Sequence, residues 1–217
     1  MHLVLGLGNP GRRYAGTRHN AGFLVVDRLS ERWGAPCDRK QFGALVGKGL
    51  FAGRPVMLAK PQTYMNLSGQ AAASLRGYYK LETDQLVVVH DEVDLPFGQV
   101  RVKRGGGHGG HRGLTDLHRM LGGGGYDRVR FGLSRPPAGW DTADYVLGKW
   151  TAEEQERLDE LVERAADAVE AVIRDGTVAA MNVFNTRPRE RAEGKEPPPS
   201  KQRDPGDPDP ARADGVP

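Results

Sequence analysis

Four short polar strings carry the chemistry open to this chain: Asn9-Pro10-Gly11, Thr17-Arg18-His19-Asn20, Met65-Asn66-Leu67-Ser68-Gly69 and His90-Asp91-Glu92. Three of them follow short apolar runs of β character. Together they supply an imidazole, a carboxylate and side-chain amides, the parts needed for hydrolysis by a histidine-activated water. His19 is the candidate base. Asp91 lies just past another strand-like run and can accept a hydrogen bond from the ring, which fixes the tautomer and raises the basicity of the second nitrogen. Asn9 and Asn66, taken singly, are the turn chemistry common to loop asparagines. If they converge on His19 they can hold a scissile carbonyl and its developing oxyanion. No serine or cysteine occupies a G-x-S-x-G elbow, and Cys37 falls in a polar connection, so water is left as the nucleophile.

Two other readings of the same residues are weaker. Gly6-Leu7-Gly8-Asn9-Pro10-Gly11 matches G-x-G-x-x-G in form, but that fingerprint needs its last glycine in the first turn of a helix that receives a pyrophosphate. Here Pro10-Gly11 marks a turn, polar residues run on to Asn20, and the acid expected at the end of a second strand is missing. That counts against a nucleotide-binding oxidoreductase. His90, Asp91, Glu92 and Asp94, with His108 and His111, offer metal-ligand types without an H-E-x-x-H frame, so no metal is assigned. The six glycines between Gly105 and Gly113 instead suit a loop whose amides approach a phosphate or substrate closely.

The elements that must position these strings are readable in outline. His2 to Leu7 is a buried first strand. Phe23, Val26, Leu29 and Trp33 recur at helical spacing, giving a helix over Ala21 to Trp33. Phe42 to Phe51 and Pro55 to Lys60, joined by Ala52-Gly53-Arg54, form a hairpin. Ser68 is a candidate cap for a helix over Gln70 to Tyr79. Leu86 to Val89 is a strand delivering His90, Asp91 and Glu92 into a loop. Val100 to Lys103 and Val129 to Leu133 are further strands, flanking a short helix near Leu114 to Leu121. Thr151 and Glu154 form a capping box, followed by one apolar stripe from Leu158 to Ile173 that stops at Gly176. Strands alternating with helices imply an α/β sheet covered on both faces.

At 217 residues, with one cysteine and no apolar run near the ~20 residues a bilayer requires, the chain reads as a single reduced, cytoplasmic domain over 1–187. From Pro188 onward eight prolines mix with charged residues and no large apolar residue except Val216, so 188–217 is expected to be a disordered tail. The net charge of +3 is modest, but Gly98 to Arg135 holds eight Lys/Arg against two acids. That local excess suits a polyanion such as nucleic acid, since each phosphate contact releases counterions; alternatively it is a solvated surface.

Gly8-Asn9-Pro10-Gly11, Tyr14, Thr17 to Gly22, Lys60 to Gly69, His90 to Pro96 and Gly105 to His111 stand in the order and at the spacing of the bacterial peptidyl-tRNA hydrolases, which the chain resembles from Met1 to about Phe184. The resemblance implies a monomeric, cofactor-free esterase with a twisted mixed sheet between helices, cleaving the ester that joins a peptide to the 3′ ribose of tRNA. It implies that His19 is the general base, that Asp91 stabilises its protonated form, that Asn9 distinguishes a blocked peptidyl amide from a free amine, and that Asn66 positions carbonyl or water. Tyr14, Tyr64, Met65, Asn66 and His111 match the contacts with the substrate's 3′ end, and Arg101, Lys103 and Arg130 the tRNA-binding face. Where the family usually carries asparagine after Gly110-His111, this chain carries Arg112. A guanidinium donates hydrogen bonds but cannot accept them, so Arg112 suits a terminal phosphate better than a carbonyl-positioning water. That departure leaves a non-hydrolytic RNA-binding relative as the alternative.

Overall fold

A computed structural model describes residues 1–186; the tail expected at 188–217 lies outside them. The chain runs β1 (His2–Gly6), α1 (Ala21–Arg32), β2 (Arg39–Gln41), β3 (Ala44–Phe51), β4 (Arg54–Pro61), α2 (Ser68–Tyr78), β5 (Leu86–Glu92), β6 (Val100–Arg104), α3 (Arg112–Leu121), β7 (Asp127–Gly132), α4 (Thr142–Leu147), α5 (Ala152–Asp175) and α6 (Thr177–Phe184). The strands form one mixed sheet in the order β2-β3-β4-β1-β5-β7-β6. β4, β1, β5 and β7 are parallel, and antiparallel pairs close both edges.

The central strands are apolar on both faces, as a parallel sheet covered by helices requires. Val4, Val87, Val89 and Val129 pack toward α1 and α5, while Leu3, Leu5, Leu86 and Val88 pack toward α2 and α3. α5 carries the expected capping box, with the Thr151 hydroxyl accepting from Glu154 N–H at 3.2 Å and the Glu154 carboxylate accepting from Thr151 N–H at 2.8 Å. Its stripe from Leu161 to Ile173 is buried across the sheet, with Leu158 half-buried at the margin.

Three local expectations are corrected. Ser68 does not cap α2: its hydroxyl donates to Met65 O at 2.9 Å, and the carboxylate that accepts from the helix's first turn is Asp116 of α3, at 2.8 Å from Gly69 N. α3 begins at Arg112 rather than Leu114, because His111 Nδ1 accepts from the Gly113 and Leu114 amides and caps it. β5 continues through Glu92, so His90, Asp91 and Glu92 sit on the end of a strand rather than in a loop. β2, α4 and α6 had no counterpart in the sequence reading: three exposed or half-buried residues, one short turn and one mostly apolar segment give periodicity too little length to act on.

The glycines after β1 serve packing. A Cβ at Gly6 would run into Gly22 O and Val26, and one at Gly8 into the Phe23 ring, so these glycines let α1 press against β1, and α1 begins at Ala21, ten residues after the Gly11 at which a pyrophosphate-binding helix would have to start. Gly22 is the reciprocal contact. A methyl there would meet Leu7 N, Leu7 O and Val89 O, all backbone atoms held in the sheet, well inside 3.0 Å. Gly22→Ala is therefore expected to cost about 3 kcal/mol of unfolding free energy in urea titration; an unchanged midpoint would contradict this close approach.

Among the described residues no helix is long and apolar enough to cross a membrane.

Candidate active site

The C-terminal ends of β1 and β5, where parallel strands point their last residues at a crevice, open into a cleft of about 770 Å³. Asn9 and His19 arrive from the connection after β1, Met65 and Asn66 from the 3₁₀ turn before α2, Asp91 from the end of β5, and His111 and Arg112 from the start of α3. Tyr14 and Tyr64 meet edge to face at 6.4 Å on its rim.

His19 sits in a buried 3₁₀ turn, Arg18–Asn20, rather than an open loop. Arg18 nails that turn in place. Its guanidinium, itself buried, meets both oxygens of Glu154 at 3.1 and 2.7 Å, lies 4.5 Å over the Tyr145 ring, and its backbone N–H donates to Gly148 O. The cap residue of α5 thus also anchors the residue next to the base.

The His19 Nδ1–H points at Asp91, 2.9 Å from Oδ1 and 3.0 Å from Oδ2. Nε2 has no partner among the described residues, and the ring lines the cleft. On the other side of the carboxylate, His111 Nε2 lies 3.0 Å from Oδ1. Its tautomer follows from its surroundings: Nδ1 accepts two backbone N–H groups, so the proton is on Nε2 and His111 donates to Asp91. Asp91 is thereby a buried carboxylate between two imidazole N–H donors. Burial works against its charge, yet His19 and His111 hold it well below the usual carboxylate range. For His19, burial is the largest influence and favours the neutral ring, but the charge and hydrogen bond of Asp91 outweigh it; Arg112 opposes them, and the net shift is upward. A base lifted above the ordinary imidazole value is a stronger proton acceptor.

Asn9 is equally fixed. Its backbone N–H donates to Asn20 Oδ1 at 2.8 Å, Asn20 Nδ2 returns a bond to Asn9 O at 3.0 Å, and Asn9 Oδ1 accepts from Met65 N–H at 2.8 Å. With its oxygen occupied, the Asn9 amide offers its Nδ2–H₂ to the cleft: it is a donor there, suited to a carbonyl oxygen. Asn66 also lines the cleft, exposed and without a hydrogen bond among the described residues.

The metal-type residues do not converge as a set. His90 is fully buried with its ring edge-on to His111 at 5.2 Å, and burial followed by the neighbouring His111 holds it neutral, down to about 3. Glu92 pairs with Arg130 and Asp94 with Arg135. A different trio, His19, Asp91 and His111, brings its ligand atoms within 4.8 Å of one another. Yet the two ring nitrogens facing Asp91 both carry protons, and the amides on His111 Nδ1 prevent that ring from changing tautomer, so the trio is built for hydrogen bonds.

The linear charge excess is smaller in three dimensions. Of the eight cations, Arg104 pairs with Asp127, Arg119 with Asp116, Arg130 with Glu92 and Arg135 with Asp94, and Arg128 is spent on loop carbonyls. Glu92 and Asp94 precede the stretch that was counted, which is why the count missed them. Arg101, Lys103 and Arg112 keep no ion pair among the described residues. Arg101 and Lys103 stand on β6, outside the cleft lining, with Arg101 opposite Arg130 in register.

Sequence reasoning gave no role to Asn20, whose side chain holds the Asn9 backbone, and did not foresee that both ring nitrogens of His111, which lines the cleft, are engaged inside the protein. It also missed the apolar wall of the cleft, Pro136, Pro137, Trp140, Val146 and Leu147. The signal for that wall was an exposed tryptophan beside the Asp141 cap of α4.

A sequence profile of the family described as Peptidyl-tRNA hydrolase matches residues 3–193. A peptidyl-tRNA hydrolase of Geobacter sp. (strain M21) is 48% identical over 185 residues, covering 85% of this chain and 98% of the relative. One of Frankia casuarinae is 50% identical over 183 residues, covering 84% and 93%. Among solved structures, peptidyl-tRNA hydrolase from Acinetobacter baumannii superposes with a TM-score of 0.81 at 37% identity, over 86% of this chain and 95% of that one. With the family profile matched over residues 3–193, about half the residues identical to those of curated relatives and the fold shared with a solved structure, this chain belongs to the peptidyl-tRNA hydrolase family.

Proposed function

We propose that the chain hydrolyses the ester between a peptide and the 3′ ribose of tRNA, with His19 as general base. The observation that carries this reading is the His19 ring itself, gripped at Nδ1 by both oxygens of Asp91 while Nε2 is left bare in the cleft. A water at Nε2 loses its proton to the ring as its oxygen attacks the ester carbonyl. The imidazolium then returns the proton to the departing 3′ oxygen, leaving a 3′-hydroxyl and a free peptide carboxylic acid, which ionises by losing the water's second proton to solvent. Asp91, kept ionised by two imidazole donors, stabilises the imidazolium between these steps. The Asn9 amide N–H₂ donates to a carbonyl oxygen of the peptide, and Asn66 holds the ester or its water. Tyr14 and Tyr64 offer ring faces to the terminal bases. Met65 lines the same cleft.

Docking of the acceptor arm falls to the cations without internal partners, Arg101 and Lys103 on β6, with Arg130 beside them and Arg112 at the cleft. Every group in this mechanism comes from one chain, so the reaction needs no second copy. A substrate made by the ribosome places it in the cytoplasm. The test is release of N-acetylated amino acid from its tRNA: multiple turnovers are expected, and tight tRNA binding without release would return the non-hydrolytic alternative, which the intact His19–Asp91 pair does not favour.

Arg112 gives this reading a pH signature. Its charge depresses His19, so Arg112→Asn is expected to raise the base's pKa further and to move the acid limb of the kcat/KM profile to higher pH, because the ring is then protonated, and idle, at pH values where the wild type still works. An unmoved limb would remove Arg112 from the neighbourhood of the base.

A further inference from the structure

Arg128 on β7 is only 3% exposed and has no carboxylate partner among the described residues. Its two terminal nitrogens are nevertheless engaged, while Nε is buried without a partner among the described residues: Nη1 donates to Gly107 O at 2.7 Å, Nη2 donates to Gly106 O and lies 3.0 Å from His118 Nε2, and the guanidinium lies 5.1 Å over the Tyr126 ring. A buried charge is expensive unless its neighbours earn it, and what these acceptors share is the glycine-rich loop. Gly105, Gly106, Gly109 and Gly110 all have φ between 56° and 94°, a left-handed backbone with no side chains to pack. The loop is pinned at one end by Gly105 N–H to Tyr126 O at 3.0 Å. Its other end passes His108, Gly109 and Gly110 along the cleft and becomes His111, the donor to Asp91.

We propose that Arg128 is a positioning residue for the hydrolysis proposed above, a guanidinium clamp on the Gly106 and Gly107 carbonyls that sets where the loop delivers His108 to Arg112 at the cleft. The planar fork is what the site uses: parallel N–H groups reach two successive carbonyls and a ring nitrogen at once, which a lysine point charge cannot do. His118 must be unprotonated to accept from it, and burial, then Arg128 and His108, hold His118 below its usual value. Arg128 is buried, whereas Lys103, its register partner on the same sheet face, is exposed and Arg101 is half-buried. It therefore acts on geometry rather than on phosphate.

The test uses the full chain with Arg128→Ala and Arg128→Lys. It measures hydrolysis of N-acetylated aminoacyl-tRNA, tRNA affinity across salt concentrations, and amide hydrogen exchange over residues 105–114. Arg128→Ala is expected to lose about 100-fold in kcat, the scale of a misplacement of roughly 1 Å in a reacting site, with unchanged tRNA affinity and salt slope and faster exchange in the loop. Added guanidinium at sub-denaturing concentration is expected to restore part of the rate, and Arg128→Lys to fall between; if the alanine variant does not fold, the lysine variant carries the same readouts. Unchanged loop exchange overturns the clamp. So does a salt slope reduced by about one, the mark of a lost phosphate contact. A wild type without hydrolysis whose variant still loosens the loop sinks the hydrolase reading and leaves the clamp standing.

Discussion

Replacing His19 with alanine is expected to lower the rate of peptide release by about 10²- to 10⁴-fold, the span of general base catalysis, while tRNA affinity stays at the wild-type value. The separation follows from where the groups stand. Two of the three cations without ion pairs among the described residues, Arg101 and Lys103, lie on β6 outside the cleft lining, whereas His19 lies in it and among the described residues makes its polar side-chain contact with Asp91 alone. Binding measured by filter retention and release measured in a single turnover report the two separately. Wild-type release from this variant would leave the proposed mechanism without its base; parallel loss of binding would move His19 from chemistry to docking.

Asp91→Asn is expected to be as damaging, at about 10³- to 10⁴-fold, for a reason that depends on His111. The Gly113 and Leu114 amides force His111 to keep its proton on Nε2. An asparagine at position 91 that keeps its single oxygen on His111 puts its N–H₂ in the place of Oδ2, 3.0 Å from His19 Nδ1, with the oxygen at 2.9 Å. The added donor opposes the Nδ1–H of His19 and favours the ring in which Nδ1 accepts and the proton sits on Nε2, where the base should be. The wrong tautomer is then favoured through His111, whose two ring nitrogens are committed inside the protein. Adding His111→Leu to Asp91→Asn frees the amide to present its oxygen to His19 and is expected to recover part of the lost rate. If the double variant is instead worse than Asp91→Asn by the full effect of His111→Leu alone, the two histidines do not compete for one carboxylate oxygen, and the tautomer argument fails.

Long periodic elements were legible because burial leaves a mark at regular spacing. α1 and α5 announced themselves by stripes of apolar residues, α5 also by its capping box, and the β3–β4 hairpin by two apolar runs around Ala52-Gly53-Arg54. What escaped was set by partners distant in sequence. Ser68 reads as a cap, but the Gly69 amide is met by Asp116 from another helix, and no local pattern records a bond across 47 positions. His111 is an unusual cap residue, so α3 started two residues earlier than expected. The count of cations from Gly98 to Arg135 was right as arithmetic and misleading as a surface, since Glu92 and Asp94 fold back onto two of them.

The chemical groups of the site were legible as types, and His19 and Asp91 do meet across 72 positions. The arrangement that gives them direction was not. Met65 N–H turning the Asn9 amide, Arg18 bolting the histidine turn to α5, and His111 sharing the carboxylate are all contacts between residues that had no reason, in sequence alone, to face one another.

The most direct measurement is the nitrogen NMR spectrum of the His19 ring across pH, assigned by its loss in His19→Ala. In its neutral form the ring is expected to carry its proton on Nδ1, with Nε2 bare, and to titrate above 6.5, the ordinary imidazole value. A proton on Nε2 in the neutral ring, or a titration below that value, would contradict an imidazole held by Asp91 and ready to take a proton from water.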